Sequence, residues 1–164
     1  MNKYFFLKKS ILFYFLMTVP VFLHSQTALV IEEILNMQEV SMQQAAWLVL
    51  EAANTSYSAN IPYSADTSSQ IDAFRYAIEQ NWLPGMAEGG DIIRFDQLSY
   101  LIMRAFDIRG GIFYSIFRNP HYAYRELVYR NIIFGRTYPG MAVSGYTMLY
   151  VVNRVLSYRE ANLI

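Results

Sequence analysis

Apolar residues recur at helical spacing along much of the chain. Ile71, Phe74, Ala77, Ile78 and Trp82 form an i, i+3, i+4, i+7 series, which predicts a helix with one buried face. Leu98, Leu101, Ile102, Ala105 and Phe106 do the same on a helix from near Arg94 to Asp107. Met148, Val151, Val152 and Val155 line the inner face of a last helix capped by Ser144. Upstream, Ser41 and Gln44 have the spacing of a capping box, and Ala45, Trp47, Leu48 and Leu50 follow without a break. Thr27 is the expected N-cap of a short helix over Ala28 to Met37, with Leu29, Ile31, Ile34 and Leu35 available for burial. Asn119-Pro120 starts another helix, from about His121 to Arg130, proline being tolerated in a first turn. Two segments break the helical rhythm. Asn54 to Gln70 is polar and reads as a surface spacer, whereas Ile112 to Phe117 is apolar but short, and reads as an extended connector packed across the helices.

The pattern also repeats. Shifted by 50 residues, Phe74-Arg75, Asn81 and Gly85 fall on Tyr124-Arg125, Asn131 and Gly135. Ile93 to Phe106 falls on Val143 to Leu156 and, with a shift of 53, on Val40 to Ala53. A period of this length implies stacked helical units, each too small to bury its own apolar face. The expected fold is therefore all-α, made of repeated helix–loop–helix units over 27–158: a half-unit 27–54, a unit 71–107 and a unit 119–158. Asn81 and Asn131 stand where a first helix ends, and asparagine tolerates the left-handed backbone of a C-cap better than most residues. Gly85 and Gly135 then permit a tight reversal.

Charge and composition adjust this picture at the N-terminus. Lys3, Lys8 and Lys9 precede the apolar run Ile11 to Leu23 and polar His24-Ser25-Gln26, the layout of a secretory signal peptide over 1–25. The run is short of the ~20 residues a bilayer span needs, so a membrane tie is expected only if this segment stays uncleaved. An exported chain bound for the periplasm or cell envelope is the resulting expectation. Past the leader there is no lysine, and ten arginines face thirteen acids, a formal balance of −3. Nucleic acid is excluded as a partner, because its recognition needs clustered excess positive charge. The arginines are expected to pair with Glu and Asp between helices, and Arg154 and Arg159 to favour the dipole at the end of the last helix. With no cysteine, stability has to come from packing.

The chemistry-bearing residues do not form a catalytic set. His121 is the one histidine past the leader, and without cysteine it cannot build a usual zinc site, so neither metal nor cofactor is expected. No serine sits in a G-x-S-x-G context. Glu88 and Asp91 flank two glycines and could form a carboxylate pair, although such loops are mostly solvated turns.

The helical units resemble the S-layer homology repeat. Ala77 to Gly85 (Ala-Ile-Glu-Gln-Asn-Trp-Leu-Pro-Gly) is similar to that family's A-x-E-x-G-I-x-x-G helix-to-loop signature. His121-Tyr122-Ala123-Tyr124 is similar to its H-W-A-Y connector signature. The resemblance spans Val40 to Leu156 and implies an SLH-like helical bundle that binds cell-wall polysaccharide. The family's wall-binding Thr-Arg-Ala-Glu positions align with Ser41 to Gln44, Arg94 to Gln97 and Ser144 to Thr147, where Met42, Phe95 and Gly145 replace the arginine. The scaffold is thus expected without its characteristic anion contact. The leading expectation is a non-catalytic envelope domain that contacts an envelope protein or the cell wall (peptidoglycan or polysaccharide). The alternative is a carbohydrate-binding module, and a third reading is a secreted hydrolase using Glu88 and Asp91. Candidate glycan or partner contacts are Trp82, Arg94, Tyr122, Tyr124, Arg125, Arg136 and Tyr138, whereas a protein interface would expose Ile112 to Phe117.

Overall fold

A computed structural model describes residues 31–53 and 67–161. The leader, the Thr27 cap, Leu29 and most of the polar spacer lie outside the described residues. Within them the fold is all-α: α1 (described over 31–36), α2 (Met42–Ala53), α3 (Thr67–Glu79), α4 (Phe95–Ala105), α5 (Ile112–Phe117), α6 (Pro120–Tyr129) and α7 (Gly145–Glu160). Of the central helices α2, α4 and α7, α2 packs against the other two, with α3 packed on α2 and α6 on α4.

Three extended crossings, each just upstream of a central helix, are tied to one another. Ile93 N–H donates to Val40 O (2.9 Å), Val143 N–H to Ile93 O (3.2 Å), and Val40 N–H to Val143 O (3.0 Å). The three bonds close a ring around three fully buried side chains. The same crossings solve the problem of orphan amides at helix starts. The first amides of α2, α4 and α7 donate across: Met42 to Asp91 O, Phe95 to Met141 O, and Gly145 to Met37 O. The second amides of α2 and α4 donate to Gly89 O and Pro139 O. At the third position side chains take over. Ser41 Oγ accepts from Gln44 N–H, Asp96 Oδ1 from Gln97 N–H, and Ser144 Oγ from Thr147 N–H. Arginine has no acceptor, so at Arg94 the neighbouring aspartate supplies the cap and Gln97 Oε1 accepts from the Arg94 amide.

The turns after α3 and α6 match bond for bond. Asn81 (φ 56°) and Asn131 (φ 54°) are left-handed. Trp82 N–H reaches Ala77 O at 2.8 Å, and Ile132 N–H reaches Leu127 O at 2.9 Å, the 6→1 bond of a Schellman motif. α4 ends the same way with Asp107 in the left-handed position (φ 51°) and Ile108 N–H on Met103 O. Of the two loop glycines only Gly135 adopts positive φ (90°); Gly85 does not, so its backbone is one that any residue can take.

Four other expectations are corrected. α3 begins at Thr67, inside the segment read as spacer, and it buries Ser69, Ala73 and Ala77 rather than Ile71, which is exposed. Small side chains let α3 lie close on α2, which rotates the larger ones toward the rim. Ile31 and Leu35 are likewise exposed, leaving Ile34 as the buried anchor of α1. Ion pairs among the described residues are local (Arg75–Asp72, Arg94–Asp96 and Arg130–Glu126) and do not bridge distant helices. Arg159 stands in the last turn of its helix as expected and also donates to Ala53 O at the end of α2 (3.2 Å), whereas Arg154 sits a turn earlier, between the hydroxyls of Tyr150 and Tyr158.

Candidate functional site

Ile112 to Phe117 is a helix rather than an extended connector. Gly111 starts it in an extended conformation and Arg118 ends it in the left-handed region (φ 36°), so one and a half turns fit between the Schellman turn of α4 and the Asn119 cap of α6. The helix is held at its start by α6: Glu126 accepts from Gly111 N–H (2.9 Å) and from Arg130 Nε (2.8 Å), while Arg130 also donates to Arg109 O. Tyr114 is the buried member, edge-on to Tyr100. Burial pushes its hydroxyl up to about 12, with Tyr100 adding to the effect and Arg104 and Arg118 opposing it.

The rest of α5 faces outward. Ile112 and Ile116 are 77% and 67% exposed and, at about 100° per residue, form one crest. Phe113 and Phe117 lie on one shoulder, stacked on Tyr122 at centroid distances of 6.0 and 5.1 Å, yet they also remain more than half exposed. On this side Arg125, Glu126 and Tyr129 border a cleft of about 310 Å³. Ser115 marks the other shoulder, which opens on a cleft of about 380 Å³ lined by Arg104, Arg109, Arg118 and Asp107. Arg104 Nε is buried and has no hydrogen-bond partner among the described residues. Large exposed apolar side chains on α5 thus lie between two clefts bordered by guanidinium groups.

The seven residues selected from the sequence do not converge. Tyr122 and Arg125 share the shoulder of α5. Arg94 borders a shallow groove of about 430 Å³ between the starts of α2 and α4, with Met42, Met86 and Asp91. Trp82 is half-buried, edge-on to Tyr76 at 5.7 Å. Tyr124 is buried and its hydroxyl bonds Thr137 (2.9 Å), whereas Arg136 and Tyr138 stand exposed on the loop after α6. Asp91 is turned onto the backbone, where its carboxylate accepts from Glu88 N–H (2.8 Å), and no cluster of metal-ligating side chains forms among the described residues. Sequence reasoning did not select Arg104, Arg109 and Arg118. Their bracketing of an uninterrupted apolar run was the available signal.

Met42 and Phe95 are buried, and Gly145 lies under the backbone of α1. The three positions where the resembled family carries arginine therefore point into the core. Comparisons with protein-family models, curated proteins and solved structures return no match to this chain.

Proposed function

We propose that this chain is a non-catalytic cell-envelope domain, exported by its N-terminal leader, whose role is structural or anchoring. The reading takes the helices as repeated helix–loop–helix units of the S-layer homology kind. The ring through Val40, Ile93 and Val143 and the matching Asn81 and Asn131 turns support that repetition. The observation that carries the functional reading is α5. A fold that satisfies its helix starts with such care leaves Ile112, Phe113, Ile116 and Phe117 in solvent, and a contiguous exposed apolar patch marks a contact surface. Fractionation of cells producing the full chain tests it: retention with the envelope after a low-salt wash, and release on Ile112→Ser plus Ile116→Ser, is the expected result. Recovery of the unaltered chain in the soluble fraction would overturn it.

A carbohydrate-binding module is the second reading, favoured by Tyr138, a planar ring 62% exposed on the same loop as exposed Arg136. Pull-down on isolated peptidoglycan sacculi discriminates: capture abolished by Tyr122→Ala plus Arg136→Ala would support it, and no capture at low salt would remove it.

A further inference from the structure

We infer that α5 is a wedge for an anionic lipid bilayer, its apolar crest entering the interface while the surrounding arginines hold lipid phosphates. The inference rests on the anchoring reading and names the surface engaged.

Three observations point to this occupant. First, the crest and its aromatic shoulder present four large apolar side chains on one short helix, with Tyr122 and Tyr129 lining the adjoining cleft where this apolar surface gives way to Arg125 and Glu126. Tyrosine favours that boundary because its ring is apolar and its hydroxyl wet. At six residues α5 is far too short to cross a bilayer, so its contact is one of lying on the surface. Second, cations stand on both sides of the crest. Arg104, Arg109 and Arg118 line one flank and Arg125 the other. The nearby acids offset them only in part: Asp107 sits in the first cleft, and Glu126 is already bound by Arg130 and Gly111. Third, Arg109 and Arg118 at the first cleft are exposed and make no ion pair among the described residues, and guanidinium geometry suits phosphate oxygens.

Charge decides against a second copy of the chain as the cover. A two-fold contact through α5 would bring this arginine-bearing face against an identical arginine-bearing face. A surface carrying distributed phosphates satisfies both flanks at once.

The absence of cysteine allows a local test. In the full chain, Ile116→Cys carries a polarity-sensitive fluorophore, and a control label is placed at Gln80→Cys, just past the end of α3 and exposed. Vesicles of phosphatidylcholine with phosphatidylglycerol should shift the emission of the label at position 116 to the blue. Phosphatidylcholine alone should not, and the control should stay unchanged. Arg109→Gln plus Arg118→Gln should weaken the response to anionic vesicles by roughly tenfold or more, since each arginine near an anionic surface contributes separately. The label at the more exposed Ile112 repeats the measurement should the first site perturb folding. An aqueous emission with both vesicle types overturns the inference, as does an equal shift with neutral vesicles. A concentration-dependent shift without lipid also overturns it and assigns the crest to another protein surface. Envelope retention in cells with no shift on vesicles removes the lipid inference alone. Recovery of the unaltered chain in the soluble fraction removes the anchoring reading itself.

Discussion

Gly145 lies directly beneath the carbonyl of Ile34: a Cβ built on it would stand 1.5 Å from that oxygen. The start of α7 and the end of α1 are in backbone contact there, and Gly145 N–H donates to Met37 O just beyond. Alanine cannot be accommodated by a rotamer change because the obstacle is main chain. Gly145→Ala is therefore expected to destabilise the fold by about 3 kcal/mol, the upper end for overpacking, despite the ~1 kcal/mol that alanine gains in a helix. Gly85→Ala, with open space around its Cβ and no positive φ, serves as the neutral comparison. Urea titration of the two variants measures the contrast.

The left-handed asparagines give the second test. Asn131→Val should cost about 1–2 kcal/mol, because a β-branched side chain resists positive φ. Asn131→Gly should stay within ~0.5 kcal/mol of the parent, relief at φ 54° being offset by a more flexible unfolded chain. The same pair of changes at Asn81 should give the same pattern, since the turn bonds match. Thermal melts of the four variants decide it.

How much of this was legible beforehand depends on whether a feature is local. The two asparagine caps, the Ser41–Gln44 and Ser144 caps and the inner face of α7 follow from short-range spacing, and the structure carries each of them. Where the rotation of a helix depends on its neighbour, spacing misleads. Spacing places Ile71 on the buried face beside Ala77 and does not select Ala73, but close approach to α2 buries the two alanines and leaves Ile71 exposed. Ile112 to Phe117 departs from expectation for a different reason. A six-residue apolar run gives too little periodicity to tell helix from strand, and what fixes it is the Glu126 and Arg130 clamp from a later helix. The arginines that bracket this run stand out in the sequence, but their meeting in one cleft does not, since it depends on α5 packing Tyr114 against Tyr100 of α4.

Glu126 provides the third test. Its two accepted bonds tie the start of α5 to α6, so Glu126→Ala should loosen α5 while leaving the central helices intact. A global loss of about 1–3 kcal/mol is expected from the stranded partners. Hydrogen exchange should show faster exchange at the Gly111 amide, with little change at the buried amides of α4.

Alkaline pH probes Tyr114. Its folded-state value of about 12 lies above the ordinary 10.0, so the native state holds a proton that the unfolded chain gives up. Its contribution to stability is complete below pH ~10 and is lost as pH rises toward ~12. Tyr114→Phe should lower stability at neutral pH by less than a core truncation would, and it should flatten the decline across that window. Tyrosinate absorbance, followed alongside unfolding, should lose its last-titrating component in this variant.

The ring through Val40, Ile93 and Val143 also sets an order of events in time. Its closing bond joins Val40 to a residue near the far end of the chain, so it belongs to the slow class of contacts that require long-range loop closure. During synthesis the first two members emerge well before the third, with one donor and one acceptor still waiting. Helices can form early, but the centre of the molecule cannot be completed until the segment through Val143 has been made. An emerging or truncated chain is thereby kept from the final state, and completion of the fold becomes a late, all-or-none step.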